Sequence, residues 1–284
     1  MKILSVLRYC CSQKRHKKPV SGYVRRILCL SNSQCEALPL VVALLFIFLS
    51  SLFVTPGCFT NKVPIDTIYY RNHVERKNHL VIFLHGRGGS ARDFEDNGFV
   101  QEIRKEGLPV DMVSVEAPLG YYANQSIVVR LKEDVIGPAK TGGYEHIWLV
   151  GVSMGGLGAM LYTRAYPEDV DGLLLLSPYL GDLPVINEIS GSGGMLKWHP
   201  EEIDKTDWQR ELWRWLQTYT SRPQNVSRFY LAYGMDDKFY PSNSLLAEVL
   251  PGNNVFTVKG GHDWSVWKDL WSEFIIKAGM ELGR

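Results

Sequence analysis

A serine flanked by glycines is the first feature that could do chemistry. The run Gly151-Val152-Ser153-Met154-Gly155 follows the apolar segment His146–Val150 and leads into a stretch with further small residues at Gly156 and Gly158. Glycine on either side of a serine allows a tight, strained turn from a strand into a helix without clashes. Such a turn would present the hydroxyl at the amino end of the helix, where developing negative charge is favoured. The pattern predicts a nucleophilic Ser153; the alternative is a tight turn with an incidental serine.

Carboxylates and a histidine follow two later apolar runs. Asp236 and Asp237 come after the run Arg228–Tyr233, and His262 comes after Asn254–Val258 and two glycines. The chain order is therefore serine, aspartate, histidine, each in a loop after its own strand. In this arrangement the histidine takes the serine proton and returns it to the leaving group, while the carboxylate orients the imidazole. No metal is expected, because the spacing typical of metal ligands is absent from four other histidines: His73, His79, His146 and His199.

A glycine-rich loop follows an earlier strand-like run. His85-Gly86-Arg87-Gly88-Gly89 comes directly after Leu80–Leu84. Backbone N–H groups in such a loop can stabilise an oxyanion, and the N–H groups of Arg87 and Met154 are the predicted pair. Phosphate binding is the competing role, but the loop lacks the spacing of the known phosphate-binding motifs.

Short apolar runs alternate with longer amphipathic stretches between residues 59 and 284. Strands are predicted at Ile65–Arg71, Leu80–Leu84, Val110–Glu116, His146–Val152, Gly172–Ser177, Arg228–Tyr233 and Asn254–Val258. Helices are predicted at Ala91–Glu106, Asn124–Val135, Met154–Ala165, Pro241–Leu250 and Asp263–Ala278. This alternation predicts an α/β fold with a mostly parallel, doubly wound sheet and helices on both faces. Ligands bind at the carboxyl ends of such strands, where the reactive side chains above are located.

One segment, about Leu183–Pro223, interrupts the alternation and contains four of the eight tryptophans. It is predicted to be a small helical cap whose aromatic residues serve mainly the core, with a lid over the site as a second role. Tyr121 and Tyr122 follow another strand and are candidates for lining a substrate pocket, with surface packing as the alternative. Asp263 is expected to begin the last helix rather than to act as a second acid.

The motifs together resemble the α/β-hydrolase superfamily over about residues 65–280. The serine motif and the run Gly260-Gly261-His262-Asp263-Trp264 are similar to those of the esterase D and enterochelin-esterase-like groups. The resemblance implies a serine hydrolase without a cofactor that acts on small-molecule carboxylic esters through an acyl-enzyme. It also favours Asp237 over Asp236, because the acid of this superfamily commonly stands three residues after a glycine. Acyl transfer, thioester cleavage and a non-catalytic binding domain are the alternatives.

The first 58 residues differ in charge and composition from the rest. They contain eight of the 31 basic residues, one of the 30 acidic residues and all five cysteines, so they carry a charge of +7 while the remaining 226 residues carry −6. The acidic balance of residues 59–284 argues against a nucleic-acid partner. Residues 1–36 are expected to be a basic, disordered leader, and residues 37–58 a hydrophobic signal or anchor segment.

The hydrophobic segment predicts a membrane-tethered protein whose domain, residues 59–284, is exported across the membrane, because basic residues precede the apolar run. Residues 40–54 are almost wholly apolar, and Cys58 follows in a context similar to a bacterial lipoprotein processing site. Cleavage and acylation at Cys58 and an uncleaved spanning helix are both open. Neither the motifs nor the composition predicts an oligomeric state.

Overall fold

The computed structural model describes residues 61–72, 78–226 and 228–283, which belong to one compact unit. The leader, the hydrophobic segment and Cys58 lie outside the described residues, so a tether at that end stays a prediction. Among the residues that are described, no helix combines the length and the apolar character that a membrane crossing requires.

A seven-stranded sheet forms the centre of this unit. Its strands are β1 Thr67–Tyr70, β2 His79–Leu84, β3 Asp111–Val115, β4 His146–Val152, β5 Gly172–Leu176, β6 Phe229–Gly234 and β7 Val255–Val258. Their order is β1-β3-β2-β4-β5-β6-β7, with β1 antiparallel to β3 and all other neighbours parallel. The predicted strands are confirmed to within two residues at each end, and so is the mostly parallel sheet.

Helices connect the strands and cover both faces of the sheet. They are α1 Asp93–Asp96, α2 Phe99–Lys105, α3 Leu119–Ala123, α4 Ile127–Arg130, α5 Gly137–Thr141, α6 Met154–Ala165, α7 Leu183–Gly191, α8 Trp208–Thr220, α9 Pro223–Val226, α10 Tyr240–Ala247 and α11 Trp264–Ala278. Single 3₁₀ turns occur at Pro167–Asp169, Met195–Lys197, Gly252–Asn254 and Gly279–Gly283. Helix α6 coincides with its prediction. Helix α11 begins after Asp263, whose carboxylate accepts from the N–H groups of Ser265 and Val266, so the predicted cap of this helix is confirmed.

Two predicted helices are wrong in detail. The helix predicted over Ala91–Glu106 is broken between α1 and α2 by Gly98, whose φ of 84° is left-handed and ends a regular helix. In place of the single helix predicted over Asn124–Val135, the structure has α4 and a wide π-helical turn at Leu131–Ile136, and α5 follows beyond the predicted end. The wide turn precedes Pro138, which has no N–H to continue the α-helical pattern.

The sheet is buried on both faces, and successive strand residues point to opposite sides. Leu80, Ile82 and Leu84 of β2 pack with α3 to α6, whereas Val81 and Phe83 pack with α1, α2 and α11. Neither face of the sheet is exposed to water. For this reason the apolar residues of the strands do not alternate with polar ones. Trp267 and Trp271 of α11 are buried in the core of the face formed by α1, α2 and α11, and the partly buried Trp264 packs against the same core.

The segment Leu183–Pro223 is helical, as predicted, and shares the core of the first face. Trp198 and Trp213 are fully buried there, and the Trp213 Nε1–H donates to the carbonyl oxygen of Leu180 at 2.8 Å. The interpretation of these two aromatic residues as core residues is confirmed. Trp208 and Trp215 of α8 are only partly buried.

A buried carboxylate links helices on the first face. Asp169 accepts hydrogen bonds from Lys132 Nζ at 2.6 Å, Lys140 Nζ at 2.8 Å and Tyr162 Oη at 2.6 Å. Burial raises the pKa of Asp169, but these three donors outweigh it and lower the pKa to about 2. The charged form therefore stabilises the fold above the unfolded-state pKa of about 4, and this contribution is lost as the pH falls towards 2.

The variant Asp169→Asn is expected to lower the free energy of unfolding by about 2 kcal/mol at pH 7. Urea unfolding measures this difference, which should shrink as the pH falls from about 5 towards 2, because the carboxyl becomes protonated first in the unfolded chain and only near pH 2 in the folded protein. Glu201→Gln, at an exposed acid, is the control and should change little. A difference that stays constant across this pH range would show that the charge of Asp169 is not the cause.

Candidate active site

The turn between β4 and α6 holds Ser153 in a strained conformation. Its φ of 53° and ψ of −114° are unusual for a residue with a Cβ atom. The Ser153 N–H donates to the Leu176 carbonyl at 2.9 Å, and the Ser153 carbonyl accepts from the Tyr179 N–H at 3.0 Å. The end of β5 and the residues after it therefore hold the turn from both sides of the serine.

Glycines flank the turn because other backbone lies against it. A Cβ on Gly151 would lie 2.4 Å from the Gly155 carbonyl oxygen, and a Cβ on Gly155 would lie 1.9 Å from the Leu84 carbonyl oxygen. A Cβ on Gly156 would approach Pro178 to 2.8 Å. The small residues predicted to accompany a nucleophilic serine thus permit α6 to pack directly on the end of β2.

Replacing Gly155 with alanine is expected to lower the free energy of unfolding by about 3 kcal/mol or more, because the new methyl group would overlap rigid backbone. Thermal or urea unfolding measures the effect. Gly191→Ala is the matched control, since a Cβ there meets nothing within 4 Å. Equal stability of the two variants would contradict the packing described for α6.

Three side chains from three loops meet at the carboxyl end of the sheet. His262 Nε2 lies 3.0 Å from Ser153 Oγ, and His262 Nδ1 lies 2.8 and 3.0 Å from the two carboxylate oxygens of Asp237. An ionised Asp237 accepts from Nδ1–H, so Nε2 is left to accept from the Ser153 hydroxyl. The structure thus brings together the serine, histidine and aspartate that the sequence analysis singled out.

The two candidate acids have different environments. The Asp237 side chain is fully buried and also accepts from the Phe239 N–H at 2.7 Å. Burial raises the pKa of this carboxyl, but the hydrogen bonds from His262 and Phe239 outweigh it, so the pKa lies below its usual range. Asp236 is exposed, and its backbone N–H donates to the Gly260 carbonyl. It is Asp237 that contacts the histidine.

Aromatic rings fix the orientation of His262. Phe239 and Trp267 each lie 4.9 Å from the imidazole, measured between ring centroids, at interplanar angles of 81° and 90°. Such edge-to-face contacts are favourable and restrict the rotamer of the histidine. Trp267 therefore both packs on the sheet and contacts the histidine.

The glycine-rich loop after β2 lies beside Ser153. A Cβ on Gly86 would lie 3.3 Å from Ser153 Cβ and 3.8 Å from Ser153 Oγ. The fully buried His85 anchors this loop: its Nε2 accepts from the Ala117 N–H at 2.9 Å, so Nδ1 carries the proton and donates to the Gly86 carbonyl at 2.7 Å. The predicted oxyanion donors follow directly in sequence, Arg87 after Gly86 and Met154 after Ser153.

Tyr121 and Tyr122 are packed into the protein. The Tyr121 hydroxyl donates to the Lys62 carbonyl at 2.6 Å, and its ring belongs to the core of the first face. The Tyr122 hydroxyl lies against α6, where a Cβ on Gly158 would approach it to 2.6 Å. Burial raises the pKa of Tyr122. A role of either tyrosine in a substrate pocket stays a prediction.

Three residues of the site were not predicted from the sequence: His85 as the anchor of the loop, Phe239 beside the histidine, and Tyr179 beside Phe239. Tyr179 follows β5 and Phe239 follows the acid, so the only sequence signal for both is their position after the carboxyl end of a strand. In the part of the chain that is described, no three His, Cys, Asp or Glu side chains are grouped in a way that could hold a metal ion.

Comparisons with known proteins agree with this architecture. The sequence model described as "Alpha/beta hydrolase family" matches residues 81–275. A search of curated proteins found no match. Among solved structures, a ferulic acid esterase is similar with a TM-score of 0.51 and 14% identity, over 78% of this chain and 98% of the esterase.

Two further structures are from Staphylococcus aureus. A fluorophosphonate-binding serine hydrolase has a TM-score of 0.51 and 12% identity, over 75% of this chain and 98% of its own. An S-formylglutathione hydrolase has a TM-score of 0.50 and 13% identity, over 75% of this chain and 94% of the hydrolase. At such identities the likeness shows the fold. The family match over residues 81–275 establishes that the chain belongs to the α/β hydrolase family.

Proposed function

We propose that the protein hydrolyses carboxylic esters of small molecules through an acyl-enzyme on Ser153. The observation that carries the proposal is the continuous hydrogen-bonded path from Ser153 Oγ through His262 to the buried Asp237. A serine hydroxyl is a weak nucleophile unless a base accepts its proton during attack. The path supplies that base and the carboxylate that stabilises it.

The reaction would proceed in two half-reactions. Ser153 Oγ attacks the ester carbonyl carbon as its proton passes to His262 Nε2, and the oxyanion accepts from the N–H groups of Arg87 and Met154. Collapse of this intermediate breaks the bond to the alcohol oxygen, which takes the proton from His262. Water then attacks the acyl-enzyme with His262 as base, and the carboxylic acid leaves while Ser153 regains its proton.

The names of two structural neighbours support this reaction class. One is a ferulic acid esterase and another is a serine hydrolase that binds fluorophosphonates. Both are similar to this chain over three quarters or more of its length. The buried, charged Asp237 supports the same class, because an imidazolium forms beside it in both half-reactions.

The test is product analysis with the full chain and a short p-nitrophenyl acyl ester. If the protein is a hydrolase, one molecule of carboxylic acid forms for each p-nitrophenol released. This ratio should change little when an alcohol or thiol is added. Predominant formation of a new ester with millimolar alcohol would instead indicate an acyltransferase. A thioester analogue cleaved much faster than the oxygen ester would indicate a thioesterase. No turnover would favour a non-catalytic binding domain.

We further propose that the enzyme is tethered to a membrane and exported. The proposal is supported by the uncharged segment at residues 37–60, which follows a basic leader and includes Cys58. The full chain should remain in the membrane pellet after alkaline extraction. Loss of a lipid mass in Cys58→Ser would indicate acylation, whereas an unchanged, uncleaved product would indicate a spanning helix. Recovery of the wild-type chain in the supernatant would contradict a tether.

A further inference from the structure

Three partly exposed aromatic rings form a continuous surface beside His262. The ring of Phe239 lies 4.9 Å from that of His262, Tyr179 lies 5.4 Å from Phe239, and Trp208 lies 6.0 Å from Tyr179, all measured between centroids. The three come from the loops after β5 and β6 and from the start of α8. Tyr179, Trp208 and Phe239 are called the aromatic wall below.

The aromatic wall is attached to the residues of the site through its backbone. The Tyr179 N–H donates to the Ser153 carbonyl, and the Phe239 N–H donates to the Asp237 carboxylate. Tyr179 and Phe239 are therefore held in position relative to the serine and the aspartate, and Trp208 packs against Tyr179.

The hydroxyl of Tyr179 is also held in place. It donates to Asp182 at 2.6 Å, and Asp182 is in turn bonded through its N–H and its carboxylate to the side chain of Gln209. With the hydroxyl engaged in this way, the ring is oriented before any ligand arrives. A preorganised ring binds a ligand without the entropic cost of ordering it.

Incomplete burial distinguishes the wall from the two core tryptophans of the segment Leu183–Pro223. Trp198 and Trp213 are fully buried, whereas Tyr179, Trp208 and Phe239 are each only partly buried. Exposed apolar surface becomes favourable when a ligand covers it, and aromatic faces favour flat partners in offset or edge contacts. Ligand sites characteristically combine such apolar walls with a few polar groups.

The position of the wall indicates which part of an ester it would contact. In the proposed mechanism His262 passes its proton to the departing alcohol oxygen, so the alcohol portion lies next to the imidazole in the transition state. Phe239 contacts that imidazole directly. We infer that the aromatic wall binds the alcohol portion of the substrate, and that the preferred substrates are esters of alcohols carrying a flat apolar group such as an aryl or benzyl group. This inference rests on the proposed ester hydrolase function.

An isomeric pair of esters tests the inference. Benzyl acetate carries its phenyl ring on the alcohol side and methyl phenylacetate carries it on the acyl side, while methyl acetate has no ring. After division by the alkaline hydrolysis rate of each ester, kcat/KM for benzyl acetate should exceed that for methyl phenylacetate by about tenfold or more. Equal values, or a preference for methyl phenylacetate, would overturn the assignment to the alcohol side.

Substitutions in α8 separate the wall from general effects on the helix. Trp208→Leu should lower the ratio of kcat/KM for benzyl acetate over methyl acetate by about fivefold or more. Trp215→Leu is the matched control, because Trp215 is a partly buried tryptophan of the same helix that packs against Tyr219. Its ratio should equal that of the wild type, and a fall as large as that of Trp208→Leu would overturn the role of the wall.

The outcomes distinguish this inference from the proposed function. Hydrolysis of all three esters without preference would overturn the aromatic wall and leave the ester hydrolase proposal standing. Absence of any hydrolysis, together with absence of covalent labelling of Ser153, would overturn both.

Discussion

Replacing Ser153 with alanine is expected to lower kcat for a short p-nitrophenyl ester by about 10⁵-fold to 10⁶-fold, a loss typical for removal of a serine nucleophile. The reason is chemical: alanine leaves His262 and Asp237 in place but removes the oxygen that forms the acyl-enzyme. Initial-rate measurements on wild type and variant give the ratio, with Ser192→Ala, at an exposed serine, as the control that should match the wild type.

Stability data make this result interpretable. Alanine and serine pay a similar cost at a φ of 53°, so Ser153→Ala should unfold at nearly the wild-type temperature. Ser153→Gly should be inactive and more stable, since glycine adopts this conformation without strain. Undiminished turnover in folded Ser153→Ala would contradict the acyl-enzyme mechanism.

The second large effect is expected at Asp237. Asp237→Asn should lower kcat at neutral pH by about 10⁴-fold, because an amide neither fixes the reactive tautomer of His262 nor stabilises the imidazolium. Asp236→Asn is the matched control one residue away, with an exposed side chain, and should retain activity within about twofold. Steady-state kinetics on both variants measure the contrast.

The pH dependence follows from the environment of Asp237. Its pKa lies below the usual range because hydrogen bonds to the carboxylate outweigh the effect of burial. The carboxylate therefore stays ionised through neutral and mildly acidic pH, and its charge is lost only as the pH falls below the ordinary range of an aspartate.

A larger loss of kcat in Asp236→Asn than in Asp237→Asn would reverse the assignment of the acid.

The positions of the site residues could be predicted because local rules determine them. Apolar runs of five to seven residues become strands of a doubly buried sheet, and loops after parallel strands gather at one edge. Ser153, Asp237 and His262 each follow such a run, so their meeting follows from topology. The resemblance to the α/β-hydrolase superfamily favours Asp237 over Asp236, and in the structure Asp237 is the one that contacts His262.

Other features depend on contacts between distant residues and could not be predicted in this way. The break at Gly98 and the π-helical turn before Pro138 interrupt patterns that are helical in composition. The anchoring of the glycine-rich loop requires Ala117 to reach His85 across neighbouring strands. The aromatic wall joins residues from three separate segments, and a sequence pattern of tryptophans does not distinguish Trp208 from the buried Trp213.

The most direct measurement is the mass of the full chain, and of its peptides, after reaction with a fluorophosphonate. The account predicts one adduct per chain, located on Ser153, formed in the native protein, slowed strongly in Asp237→Asn, and absent from Ser153→Ala and from the unfolded chain. An intact protein that forms no adduct, or that carries its adduct on a residue other than Ser153, would contradict the account.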